Sequence, residues 1–146
     1  MKNNFQRFLQ ENAQQCSIEC ISLHRMAGRI QANFLPQAVA KKSIIINDVE
    51  KSVQVFADDV ILGFLLGCLV SNAVCSTTQS CIHIETSQGP DGIQISVRNN
   101  GKFDYSPGMH SLITMSNAAR KLGGIIRLKS EPRGGFAIIL SIHAAA

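Results

Sequence analysis

The stretch Val55-Phe56-Ala57-Asp58-Asp59-Val60-Ile61-Leu62-Gly63-Phe64-Leu65-Leu66-Gly67-Cys68-Leu69-Val70-Ser71-Asn72-Ala73 decides how the rest of the sequence is read. Val53 and Val55 alternate with Ser52 and Gln54, which predicts a short strand. Asp58 then stands where a helix needs an acceptor for its unpaired first N–H groups. The apolar run Val60, Leu62, Leu65, Leu66, Leu69, Val70 and Ala73 behind it predicts a long, buried helix. An amide such as Asn72 inside that helix needs hydrogen-bond partners, either a ligand or a neighbouring element.

Toward the C-terminus, residues 81–85 and 93–97 alternate strictly between apolar and polar. Gln88-Gly89-Pro90-Asp91-Gly92 joins them, so the two runs read as an antiparallel hairpin. Asn99-Asn100-Gly101 breaks the second strand, a helix is expected over about 109–122, and Gly123-Gly124 stops it in the left-handed conformation. Two further strands, 125–129 and 136–142, close the chain around Pro132-Arg133-Gly134-Gly135. Toward the N-terminus, Ile44, Ile45 and Ile46 form a strand after a helical stretch at 37–41, and Pro36 ends or kinks whatever precedes it.

Residues 5–34 hold no proline and one glycine. Phe5, Leu9, Ala13, Cys16, Cys20, Leu23, Ala27, Ile30 and Phe34 recur at steps of three and four, the spacing of a helical seam. One helix of that length is about 45 Å long, more than a domain of this size covers, so part of it is expected to meet a second copy of the chain. The alternative is an amphipathic helix lying on its own sheet. The expected organisation is a dimerising helix at 1–35 and a domain at 36–146. The element order predicts an α/β (α+β) two-layer sandwich: a mixed, largely antiparallel sheet with helices on one face and a pocket between the layers.

Composition bounds the partners. The chain has 146 residues, 45% hydrophobic, enough to build a core without disulfide or metal help. Its net charge of +4 is scattered rather than gathered into a stripe, so nucleic acid is not expected. The five cysteines are odd in number, lie in apolar runs and form no Cys-x-x-Cys pair, which fits reduced thiols in the cytoplasm. The N-terminus has no leader pattern and no apolar run is read as reaching membrane-spanning length, so a soluble chain with no membrane segment is expected.

Over about residues 35–142 these motifs, in this order, resemble the ATPase domain shared by sensor histidine kinases, DNA gyrase B and the Hsp90 chaperones, with the histidine-kinase branch nearest. The helix ending in Asn72-Ala73 resembles the family's asparagine box, and the resemblance implies that Asn72 would hold Mg²⁺ through its carbonyl oxygen. Asn99-Asn100-Gly101 resembles the first glycine box, normally Asp-x-Gly, whose aspartate accepts from the adenine amino group. Leu122-Gly123-Gly124 with Gly134-Gly135-Phe136 resembles the closing helix, turn and hairpin. The implied ligands are therefore ATP and Mg²⁺, with Asn72, Asn99, Gly101, Gly108 and Leu112 at the nucleotide.

The departures define a degenerate member. Cys68 replaces a second asparagine, Cys75 a basic residue, and Asn99 the adenine-reading aspartate. Between Gly101 and Gly108 only residues 102–107 stand where the family has a long lid. Met109-His110-Ser111-Leu112 occupies the Gly-x-Gly-Leu turn, where side chains obstruct close backbone approach to phosphate. Asn72 has a structural reading beside its ligand reading, and Asn99-Asn100-Gly101 taken by itself reads as a turn. No residue is assigned a catalytic role. Of the histidines, His24 lacks the acidic residue and proline that follow the family's phosphoacceptor. His83 is expected on the outer face of its strand, His110 in the decayed glycine box and His143 at the tail, with no metal cluster among them. Lys102, Arg98, Arg120 and Lys121 are candidate phosphate contacts, with solvated charge as the alternative.

The resemblance implies a two-component signalling domain that self-associates and binds a protein partner such as a response regulator or a kinase, with decayed ATP chemistry. The alternatives are an ATP-binding histidine or anti-sigma-factor-type protein kinase, and a structural module whose pocket is filled by Met109 and Leu112.

Overall fold

A computed structural model of the chain describes residues 18–101, 109–132 and 134–143. In chain order the elements are β1 (Ile18–Ser22), α1 (Leu23–Asn33), α2 (Leu35–Ala40), β2 (Ile44–Asn47), β3 (Gln54–Asp58), α3 (Asp59–Ser76), β4 (Cys81–Gly89), β5 (Gly92–Asn99), α4 (Leu112–Lys121), β6 (Gly124–Ser130) and β7 (Phe136–His143). Five strands form one sheet in the order β2-β4-β5-β7-β6, and only the β2–β4 pair is parallel. The expected mixed, largely antiparallel sheet with helices packed on it is what the chain forms.

Strict alternation sets the β4–β5 hairpin. Ile82, Ile84, Ile93, Ile95 and Val97 turn inward and are buried, and the residues between them face outward. The ladder runs to the pair Gly89–Gly92, leaving Pro90-Asp91 as a two-residue turn, and Gly92 takes a φ of +138° that suits glycine.

Helix α3 is the centre of the core, with Leu62, Leu65, Leu66, Leu69 and Val70 no more than 1% exposed. At 18 residues and a mean hydropathy of 1.8 it does reach the length and apolarity of a minimal membrane span, which corrects the expectation that no run does; here it is wrapped by the sheet and the other helices. Asp58 starts it as anticipated: Oδ1 accepts from the Val60 and Ile61 N–H groups at 2.9 and 3.0 Å. Replacing it, Asp58→Ala, is expected to cost about 1 kcal/mol in urea unfolding, with Asp58→Ser recovering most of the loss.

The continuous helix over residues 5–34 is corrected where the structure describes it; residues 1–17 lie outside the described residues. Ile18–Ser22 is a strand paired antiparallel with β3, from Ile18 opposite Asp58 to Ser22 opposite Gln54. Its β-branched Ile18 and Ile21 suit an extended chain, and β3 supplies the hydrogen-bonding edge that a helix would have had to forgo. The Ser22 hydroxyl then caps α1 by accepting from the Arg25 N–H at 3.3 Å. Leu23, Met26, Ala27 and Ile30 of α1 join the same core as α3 and the sheet.

β3 pairs with β1 and not with its chain neighbour β2. Helix α4 begins at Leu112, with the Ser111 hydroxyl accepting from the Thr114 N–H at 3.1 Å, and only Gly123 of the glycine pair is left-handed, at φ +71°; Gly124 is already strand.

Candidate functional site

The last turns of α3 carry Asn72 toward α4, where it is 1% exposed. Its amide is engaged on both sides by one residue's backbone: Oδ1 accepts from the His110 N–H at 2.7 Å, and Nδ2 donates to the His110 carbonyl at 3.0 Å. Nδ2 also lies 3.5 Å from the Met115 sulfur. Phe64, two helical turns earlier on α3, meets the His110 ring edge-on at a centroid distance of 6.4 Å. Burial pushes the His110 imidazole below its ordinary pKa, which favours the neutral ring. The segment that replaces the glycine turn is thus clamped onto the asparagine helix.

Asn99 ends β5 on the inward face, 1% exposed. Its Oδ1 accepts from the Gly101 N–H at 3.1 Å, the geometry of an Asx turn, and its buried Nδ2 has no partner among the described residues. That N–H fixes which way the amide points, because a flipped Asn99 would set two donors against each other. Asn100 ties the same turn to the start of β4: its Oδ1 accepts from the Cys81 N–H at 2.8 Å and the Ser80 hydroxyl at 3.2 Å. Gly101 lies so close to Thr77 and Ser80 that a Cβ would sit about 3.0 Å from the first and 3.1 Å from the second.

Gly108 and Lys102 lie outside the described residues. Leu112 opens α4 and is 48% exposed, so it does not fill a cavity; the groups against Asn72 are the His110 backbone and Met115. Met115 was not anticipated, and its signal is its place on the inward side of α4 with Ala118 and Ala119. Burial lifts the Cys68 thiol to about 12, which leaves it neutral and unreactive as a nucleophile. His24 Nδ1 donates to the Val49 carbonyl at 2.7 Å, and His143 is exposed at the end of β7. Arg98 lies on the outer face of the sheet, paired with Glu85 at 2.6 Å and raised in pKa first by that hydrogen bond. Arg120 and Lys121 are exposed in the last turn of α4, where the helix dipole favours cations.

A Mg²⁺ ion at Asn72 and an adenine amino group at Asn99 would each ask for a carbonyl oxygen. Here one oxygen accepts from His110 and the other from Gly101, and the side-chain group left without a partner among the described residues is an NH₂ donor. Four clefts formed by described residues have volumes from about 350 to about 700 Å³, and neither Asn72 nor Asn99 lines any of the four. Among the described residues, each amide oxygen that a Mg²⁺-nucleotide would use already accepts one backbone N–H.

No family model and no curated protein matches the sequence. Solved structures do match the fold. The histidine kinase AdeS of Acinetobacter baumannii superposes with a TM-score of 0.80 at 14% identity, over 97% of this chain and 76% of that one. The fold is that of a histidine-kinase ATPase domain. The nucleotide-free catalytic domain of the histidine kinase ThkA matches at a TM-score of 0.71 and 19% identity, over 87% of this chain and 97% of that one. ThkA in complex with the response regulator protein TrrA gives 0.73 and 15%, over 96% and 47%. Full-length ShkA in complex with AMPPNP gives 0.75 and 19%, over 89% and 32%. At these identities the likeness to the histidine-kinase ATPase fold is one of architecture, and the site must be argued from its own residues.

Proposed function

We propose that the chain is a histidine-kinase-like signalling domain of the two-component type that works by binding a protein partner, with little or no ATP turnover. The observation that carries this reading is the Asn72–His110 clamp: the side chain expected to hold Mg²⁺ is committed to backbone. Phosphoryl transfer rests on positioning and electrostatics, and among the described residues Asn72 and Asn99 turn their oxygens to backbone N–H groups, which supports the reading. A partner of response-regulator type is the natural class, supported by the complex of ThkA with TrrA. Self-association belongs to the proposal, supported by the exposed apolar Ile18 and Phe56 on the β1–β3 ribbon. The cytoplasm is its proposed location, supported by free Cys20, Cys68, Cys75 and Cys81.

The second reading, an ATP-binding histidine or anti-sigma-factor-type kinase, draws on the AMPPNP complex of ShkA. Thermal shift with millimolar ATP or ADP, each with and without Mg²⁺, separates the two, because a ligand bound only by the native state raises its apparent stability. The expected result is no shift. A Mg²⁺-dependent rise with ATP that Asn72→Ala abolishes would overturn the proposal in favour of the kinase.

A further inference from the structure

The alternation that buries Ile82 and Ile84 sends His83 and Glu85 to the outer face of the sheet, away from the helices and from Asn72. The parallel register of β2 sets Ile46 beside His83 and Asn47 beside Ile84, and the Asp48 N–H extends that ladder to the Ile84 carbonyl at 2.9 Å. Asp48 therefore arrives at the two outward side chains of β4. His83 Nδ1 lies 2.6 Å from Asp48 Oδ2, and one donor atom each from Asp48, His83 and Glu85 all lie within 4.8 Å of one another.

We propose that these three residues form a binding site for a divalent transition-metal ion, Zn²⁺ being the probe of choice. The donor set is one imidazole nitrogen and two carboxylate oxygens, a borderline set that suits Zn²⁺ and its first-row neighbours better than a hard ion. The imidazole separates it from an ordinary patch of surface acids. The positions are also held from behind. Asn47 Oδ1 accepts from the Val49 N–H at 3.1 Å while its Nδ2 donates to the His24 carbonyl at 3.0 Å, and His24 in turn donates to the Val49 carbonyl, so the loop bearing Asp48 is pinned to α1.

Arg98 grips Glu85 through Nη2 at 2.6 Å and Nε at 3.5 Å, the kind of outer hydrogen bond that orients a ligating carboxylate. It also offsets one carboxylate charge, which weakens the pull of the site on a cation. Three protein ligands leave further positions on the ion for water or an anion.

The test uses the full chain, stripped with EDTA and titrated calorimetrically with ZnCl₂, and with Co²⁺ followed by visible absorption. One equivalent is expected to bind in the micromolar range, with Co²⁺ bands that lack thiolate charge transfer. His83→Ala and Asp48→Asn are expected to weaken binding by at least about tenfold. Cys20→Ser and His143→Ala, which remove other exposed donors, are expected to leave it unchanged. Thermal melts of the metal-free variants check that each is folded. Absence of saturable binding would overturn the proposal, as would binding that survives His83→Ala and Asp48→Asn or that disappears with Cys20→Ser or His143→Ala.

Discussion

Gly135→Ala is expected to cost roughly 4 kcal/mol of folding stability, the sum of backbone strain and overpacking, and to lower the thermal midpoint by about 10 °C. Gly135 has a φ of +87°, and a Cβ there would fall 2.0 Å from the Asn99 carbonyl oxygen and 2.8 Å from the Asn100 Cα. Both are backbone atoms, so no side-chain rotation relieves the contact. The opposing turn cannot retreat easily either. Asn99 Oδ1 holds the Gly101 N–H, Asn100 Oδ1 holds the Cys81 N–H and the Ser80 hydroxyl, and Gly101 is packed on Thr77. Gly134 is the control, because its φ of +93° carries similar backbone strain but a Cβ would meet nothing within 4 Å. Gly134→Ala is expected to cost about 1.5 kcal/mol in the same thermal unfolding measurement. Equal losses at the two positions would show that the close approach of the β6–β7 connection to Asn99 is not made in solution.

The hairpin β4–β5 was legible in the sequence because it alternates strictly over many residues, and helix α3 because it is an apolar run too long for a strand, with Asp58 marking its start by its chemistry alone. The strand β1 was not. Cys16, Cys20 and Leu23 fit helical steps of three and four, while Ile18 and Ile21, off that seam, are good strand formers. What settles residues 18–22 is β3, thirty-odd positions away, offering an open edge, and no local pattern records that. The site divides in the same way. Asn72 and Asn99 were visible as polar residues at the ends of apolar elements. That Asn72 would be met by the backbone of His110 was not visible, because a backbone partner leaves no trace in residue identity. The cluster of Asp48 with His83 escaped for a related reason: the parallel β2–β4 register joins residues 35 apart, with α3 lying between them in the chain.

Asn72→Ala is the substitution on which the functional reading turns, and in the nucleotide-free chain it is expected to cost about 3 kcal/mol. The truncation removes two hydrogen bonds, of 2.7 and 3.0 Å, and leaves the His110 N–H and carbonyl facing a cavity beside Met115. Each orphaned backbone group costs its desolvation, about 1–3 kcal/mol, less whatever a water entering the gap restores. Asn72→Asp sharpens the assignment. One carboxylate oxygen still accepts from the His110 N–H, but the other meets the His110 carbonyl, so a buried charge faces a second acceptor. That variant is expected to be at least as unstable as Asn72→Ala at neutral pH. Burial and the carbonyl raise the folded-state pKa of the new carboxyl above its unfolded value, so its contribution is fully present below the unfolded pKa and is lost as pH rises through the folded one. Its deficit relative to the parent should therefore shrink in acid, where a protonated oxygen can donate to the carbonyl as Nδ2 does now. A residue kept for ligand binding behaves in the opposite way, since sites shaped for a ligand hold groups that the empty protein does not satisfy and that can be removed at little cost to stability. Urea midpoints for Asn72→Ala near the parent value would mean that the amide is free for a ligand and that the clamp on His110 is not the resting state; a large loss at unchanged m would mean that this asparagine now serves the fold.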